Sequence, residues 1–255
     1  MRVYDGYVFR LDQHLARLYS CASILGLTLG ISASEIEKAI YRLLQANDLY
    51  NARIRLTVSG GQGEMAPDIS SCKSPTVLIA CRSYSSQTQL HSYRAQVSTI
   101  KRNTHSVISS VKSLNYLDSL LAKREAKQAG FDEAIILNNK GFVAECSTSN
   151  IFIITKGNLI TPSIGEGILP GITRAVVLEL AASLQIKAME LRISLGQLLD
   201  SDEAFITNSI MGISPLTQVN DHIIGLGTPG KLTASFAQAY ADIVNREKDE
   251  ARIKE

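Results

Sequence analysis

A chain of 255 residues with 45% hydrophobic content carries enough apolar material for one large domain or two smaller ones. Its 26 basic and 24 acidic residues leave a formal net charge of +2, with both signs spread along the chain, so no nucleic-acid partner is expected. Four cysteines and four histidines stand far apart, without a CxxC pair or a metal-ligand spacing, and no apolar run is long enough to span a membrane; the reading is a cytoplasmic protein with reduced thiols.

The opening RVYDGYVFRL reads as a hairpin turning at Asp5-Gly6. Asp12 is the expected cap of the following helix, in which Leu15, Leu18, Tyr19 and Ala22 recur at helical spacing. A second helix is predicted over 34–49, with Ser34 and Glu37 spaced as a capping box. ARIRLTVSG (52–60) alternates as a strand, turns at GGQGE, and is followed by the apolar strand TVLIAC (76–81). Residues 82–110 are polar and serine-rich without a clear period. Within them, 101–108 is read as the connection between a small N-terminal domain (1–100) and a larger one (109–255).

A helix is predicted over 113–129. EAIILN, GFVAEC, NIFIIT and NLITP then follow as closely spaced strands, read as a meander. Next come a helix over 173–186, the strand KAMELRI, a short helix near 195–201, the strands of EAFITNSIMGISPLTQV and a last helix, LTASFAQAYADIVNREK. The class is α/β of the mixed kind (α+β), without a regular βαβ alternation.

Two glycine-rich stretches invite a nucleotide reading. GLGTPG (225–230) matches G-x-G-x-x-G, but no further strand can follow it, and a surface loop before the last helix explains it better. GGQG (60–63) lacks the Gly-Lys-Ser/Thr of a phosphate loop and is read as a hairpin turn.

Three other features fit one chemistry. Lys112 lies just before a predicted helix, where the dipole disfavours a charged amine but suits a neutral, nucleophilic one. In GILPGITR, Gly171, Ile172 and Thr173 stand at a helix N-terminus, which offers N–H groups and a hydroxyl to an anion. Glu145, in the strand GFVAECS, either faces solvent or holds a buried cation. Taken singly, an ordinary helix start and a solvated acid are the plainer readings. Together they supply a lysine, a phosphate clamp and a carboxylate for a pyridinium nitrogen, the parts of a pyridoxal 5'-phosphate site.

KSLNYLDSLLAKREAKQAGFDEAIILNNKGFVAECSTSNIF, followed by GILPGITRAVVLELA, resembles the class IV aminotransferases, the fold-type IV pyridoxal phosphate enzymes. That family includes branched-chain aminotransferases, D-amino-acid aminotransferases and 4-amino-4-deoxychorismate lyases. The resemblance implies that Lys112 is the Schiff-base lysine and proton shuttle, that Tyr116 bonds the cofactor's phenolic oxygen, and that Glu145 faces the pyridine nitrogen. It assigns Arg17, in HLARL, to the phosphate, together with Ile172, Thr173 and the Ser209-Ile210 pair of TNSIMG. Arg102 is a candidate for the substrate carboxylate, with a linker arginine as its other reading. The resemblance also implies a small N-terminal α/β domain, a larger mixed-sheet domain, the cofactor between them, an amino substrate and a homodimer.

TNSIMGISPL lacks the Gly-Thr-Ala-Ala-Glu run with which branched-chain aminotransferases hold substrate carboxylates, and it resembles the Asn-Ser/Ala-x-Met pattern of the lyases. The expected reaction therefore converts 4-amino-4-deoxychorismate to 4-aminobenzoate and pyruvate. A branched-chain or D-amino-acid aminotransferase is the alternative. Family members usually carry a further strand pair ahead of MRVYDG, lining the substrate side of the pocket, which raises a third reading: a cofactor-binding protein without turnover.

Overall fold

The computed structural model describes residues 1–65, 68–85 and 90–253. Two compact units divide the chain, Met1–Ser86 with Val244–Glu255, and Gln87–Ile243.

The first unit holds β1 (Arg2–Tyr4), β2 (Tyr7–Val8), α1 (Leu11–Ile24), α2 (Ala33–Ala46), β3 (Ala52–Ser59) and β4 (Thr76–Ser83). Its strands form an antiparallel sheet in the order β2-β1-β3-β4. Tyr4 pairs with Tyr7 across Asp5 and Gly6, which both have positive φ (51° and 89°), the backbone of a type I′ turn. Leu11 and Leu15 of α1 and Ile36, Ile40 and Leu44 of α2 bury against Val3, Val8 and Ile54 of the sheet.

Both helix starts differ from the sequence reading. Arg10, in the left-handed region, is the N-cap of α1; Asp12 lies inside the first turn, where it complements the dipole without capping. The capping box of α2 closes at Ser32 and Glu35, two residues earlier than expected. Ser32–Glu35 and Ser34–Glu37 have the same spacing, so the box is legible and its register is not.

The second unit begins with β5 (Tyr93–Val97), α3 (Leu117–Gln128), β6 (Glu133–Leu137), β7 (Phe142–Cys146), β8 (Asn150–Thr155) and β9 (Asn158–Pro162). It continues with α4 (Ile172–Ser183), β10 (Ala188–Leu191), β11 (Ile193–Ser194), α5 (Leu195–Leu199), β12 (Glu203–Asn208), β13 (Gly212–Val219), β14 (His222–Ile223) and α6 (Lys231–Ile253), whose last residues belong to the first unit. One sheet runs β10-β9-β8-β12-β13-β5-β6-β7-β11, with β14 beside β13. β5 is parallel to both its neighbours and β10 is parallel to β9; the other pairs are antiparallel.

Three expectations are corrected here. The stretch expected to be irregular contains β5, which bridges β6 and β13. Residues 101–108 are no inter-domain connection but part of the second unit: the Arg102 N–H donates to the Leu137 carbonyl at 2.8 Å, and the Arg102 carbonyl accepts from Asn139 at 2.9 Å. The meander is two hairpins, β6–β7 and β8–β9. The outer neighbour of β7 is β11 and that of β8 is β12, because both strands are buried and each needs a partner on either edge.

One face of this sheet buries Ile135, Cys146, Ile151, Ile153, Ile206 and Leu216. On the other, Phe152 stacks on Phe205, with ring centroids 5.0 Å apart, and Phe236 of α6 tilts against Phe205. α3 lays Ala122 and Ala126 on Ala134 and Ile136. The GLGTPG stretch is a loop leading into α6. The N-terminus of that helix is satisfied by the Glu203 carboxylate, which accepts the N–H groups of Leu232 and Thr233 and the Thr233 hydroxyl.

Candidate active site

Glu145 stands opposite Ile136, on the strand face that α3 covers. Its side chain is buried. One oxygen, Oε1, accepts the Arg102 guanidinium at 2.5 Å; Oε2 accepts the Asn150 amide at 3.2 Å and the Leu169 N–H at 3.0 Å. Burial nevertheless pushes the carboxyl from its ordinary 4.5 up to about 7, against the pull of Arg102, the Leu169 N–H and the Lys112 ammonium. A carboxylate has about four acceptor positions, and three are filled. The remaining position suits one more donor, and a cation there would draw the carboxyl back down.

Arg102 is therefore not a free guanidinium for a substrate carboxylate. It is committed to Glu145, with a longer contact of 3.5 Å to Ser119 Oγ, and its Nε is buried without a partner among the described residues. The mainchain bridge to β6 carries it there.

Lys112 is exposed, yet close enough for its charge to act on Glu145. α3 begins at Leu117, with Tyr116 as its N-cap, so Lys112 lies in the connection before it, beyond the reach of a dipole that fades within one turn. Tyr116 is exposed, at 37%.

Gly171 is the N-cap of α4, and Ile172 and Thr173 are its first, buried residues. No side chain caps this helix, so its first N–H groups stay available to a ligand. A side chain at Gly171 would drive into Asn150 Oδ1. Asn150 also donates to the Leu169 carbonyl at 2.9 Å and so ties Glu145 to the loop ahead of α4. Sequence reasoning passed over Asn150; the available signal was a polar residue heading the otherwise apolar run NIFIIT.

Ser209 and Ile210 lie in the turn between β12 and β13. Asn208 closes that turn, its Oδ1 accepting the N–H groups of Ile210 at 2.9 Å and Met211 at 3.0 Å, while its amide reaches Ser149 Oγ at 3.2 Å. Contacts thus link Glu145, the N-terminus of α4 and the 209–210 turn within the second unit. Arg17 belongs to the first unit, on α1, where burial lowers its guanidinium below the ordinary value.

The family description "Amino-transferase class IV" matches residues 1–219. The chain belongs to the class IV aminotransferases. Within this family it is 34% identical to a branched-chain-amino-acid aminotransferase of Pseudomonas aeruginosa, over 93% of this chain and 79% of that protein. It is 33% identical to the aminodeoxychorismate lyase of Bacillus subtilis, over 94% and 82%. The crystal structure of the branched-chain aminotransferase of Thermobaculum terrenum in its PLP form superposes with a TM-score of 0.89 at 30% identity, covering 95% of this chain and 82% of that one. Among the described residues, no helix is long and apolar enough to cross a membrane.

Proposed function

We propose that this class IV aminotransferase-family protein is a pyridoxal 5'-phosphate-dependent lyase that converts 4-amino-4-deoxychorismate to 4-aminobenzoate and pyruvate. The residues fit the cofactor. Glu145 keeps one acceptor position for a ring N–H, Arg102 favours its ionised form, and the uncapped N-terminus of α4 suits a phosphate monoester. The bound cofactor supplies an aldehyde and a cationic ring that takes up an electron pair from the substrate carbon.

The chain's own residues do the rest. Ile172 and Thr173 hold the phosphate with their N–H groups, and Ser209 adds a hydroxyl. Arg17's part in phosphate binding and Tyr116's bond to the phenolic oxygen rest on the family resemblance. Lys112 Nζ would take the proton from the substrate carbon that bears nitrogen and return it to the enolpyruvate as the C–O bond to that group breaks, which restores the free amine. Loss of pyruvate then leaves an aromatic ring, which makes the step favourable.

Asn208 carries the choice of the lyase. Branched-chain aminotransferases use the Gly-Thr-Ala-Ala-Glu run at this turn for a substrate carboxylate; here Asn208 Oδ1 already takes the N–H groups of Ile210 and Met211. The second reading is an aminotransferase, which the name of the Pseudomonas aeruginosa relative favours. Purified holoenzyme fed aminodeoxychorismate should release pyruvate without 2-oxoglutarate. Consumption of 2-oxoglutarate in step with an amino acid, with aminodeoxychorismate untouched, sinks the lyase reading. Cofactor binding with neither product identifies a protein without turnover.

We also propose a homodimer. Val107, Ile108, Leu114, Leu117 and Leu120 are exposed large apolar side chains flanking Lys112 in sequence, and such surface favours a partner. Sedimentation at a single-chain mass would exclude it.

A further inference from the structure

We infer that Thr207 belongs to the phosphate subsite, its hydroxyl hydrogen-bonding a phosphate oxygen directly or through one water; the inference rests on the cofactor reading above. The side chain is 1% exposed, and Oγ1 has no partner among the described residues. Buried hydroxyls almost always find a partner, and leaving one unpaired is costly. The fold gives this hydroxyl no packing role that a valine of the same shape would not fill.

Its position says what the missing partner is. Thr207 is directly opposite Asn150 on β8 and Ile213 on β13. Residues paired across antiparallel strands share a face. On that face the Asn150 amide reaches Glu145 and the Leu169 carbonyl, and Gly171, the N-cap of α4, abuts Asn150 Oδ1. Two residues further on is Ser209, in the turn that Asn208 closes. Thr207 thus lies between an uncapped helix N-terminus and a hydroxyl-bearing turn. The next residues along its face, Phe205 and Phe152, are packed aromatics, and in the other direction the strand runs to Ser209 and the turn. A hydroxyl donates well to a phosphate oxygen, and a charge-assisted bond of this kind is stronger than a neutral one.

The test compares T207V and T207S with wild type. Apo-protein is titrated with pyridoxal 5'-phosphate and with pyridoxal, which lacks the phosphate, and cofactor absorbance gives each dissociation constant. A second readout is the rise in melting temperature on adding inorganic phosphate to apo-protein. T207V should bind pyridoxal 5'-phosphate about ten-fold more weakly, bind pyridoxal as wild type does, and show a smaller phosphate-induced rise. T207S, which keeps the hydroxyl, should behave as wild type. If T207V does not fold, T207A takes its place with the same expectations. Unchanged affinity in T207V, equal loss of both ligands, or a T207S as weak as T207V would overturn the inference. A wild-type protein that binds pyridoxal 5'-phosphate not at all overturns the cofactor reading itself, and this inference with it.

Discussion

Two buried carboxylates sit on neighbouring strands of the second unit, Glu133 on β6 and Glu145 on β7, and their surroundings differ in kind. Glu133 accepts the hydroxyls of Ser147 and Thr148, the Ala134 N–H at 2.8 Å and the Lys123 ammonium at 3.0 Å. Its donors come from β6, α3 and the loop between β7 and β8, so the acid staples that loop in place. Glu145 has three donors, one position left, and a carboxyl that burial pushes up to about 7. A saturated buried acid serves the fold. One buried beyond its compensation is a candidate for binding a ligand.

The largest effect expected from breaking this contrast is on stability. Glu133→Ala strands the Lys123 ammonium and two hydroxyls and should cost about 3–5 kcal/mol, read from the denaturant midpoint. A loss below about 1 kcal/mol would remove Glu133 from the structural role. The pH dependence of the cofactor-free protein comes next. Unfolded Glu145 releases its proton near 4.5 and folded Glu145 near 7. In between, the folded state holds more protons, so stability falls as pH rises, by up to about 3 kcal/mol. Glu145→Gln should flatten that slope, and an unchanged slope would place the titration elsewhere. The same variant should lose turnover by about 100-fold. The smallest effect is that of Arg102→Lys. It keeps the charge but loses the planar fork, and should weaken cofactor affinity a few-fold, about 1 kcal/mol or less, as seen by titrating the visible absorbance.

Much of the candidate site is legible in the sequence. Lys112, Glu145 and the Gly171-Ile172-Thr173 start stand in recognisable motifs, and the short apolar strands from 133 to 162 announce themselves. Long-range pairing was not legible. Arg102 finds Glu145 43 residues away, and nothing local marks a serine-rich stretch as the source of β5, whose hydrogen-bonding partners are β6 and β13. The start of α3 at Leu117 was not legible either, since helix starts depend on which of several candidate caps closes. Asn150 and Thr207 were missed because their meaning lies in cross-strand neighbours that only the folded sheet supplies.

The end of α6 has a consequence for how the chain is made. Glu247 accepts the Tyr7 hydroxyl at 3.4 Å and pairs with Arg10 at 2.9 Å, and Arg252 pairs with Asp5 at 2.5 Å. The hairpin's ion-pair partners are translated more than two hundred residues after it. The first unit therefore waits for a segment made after strands β5 to β14 of the second.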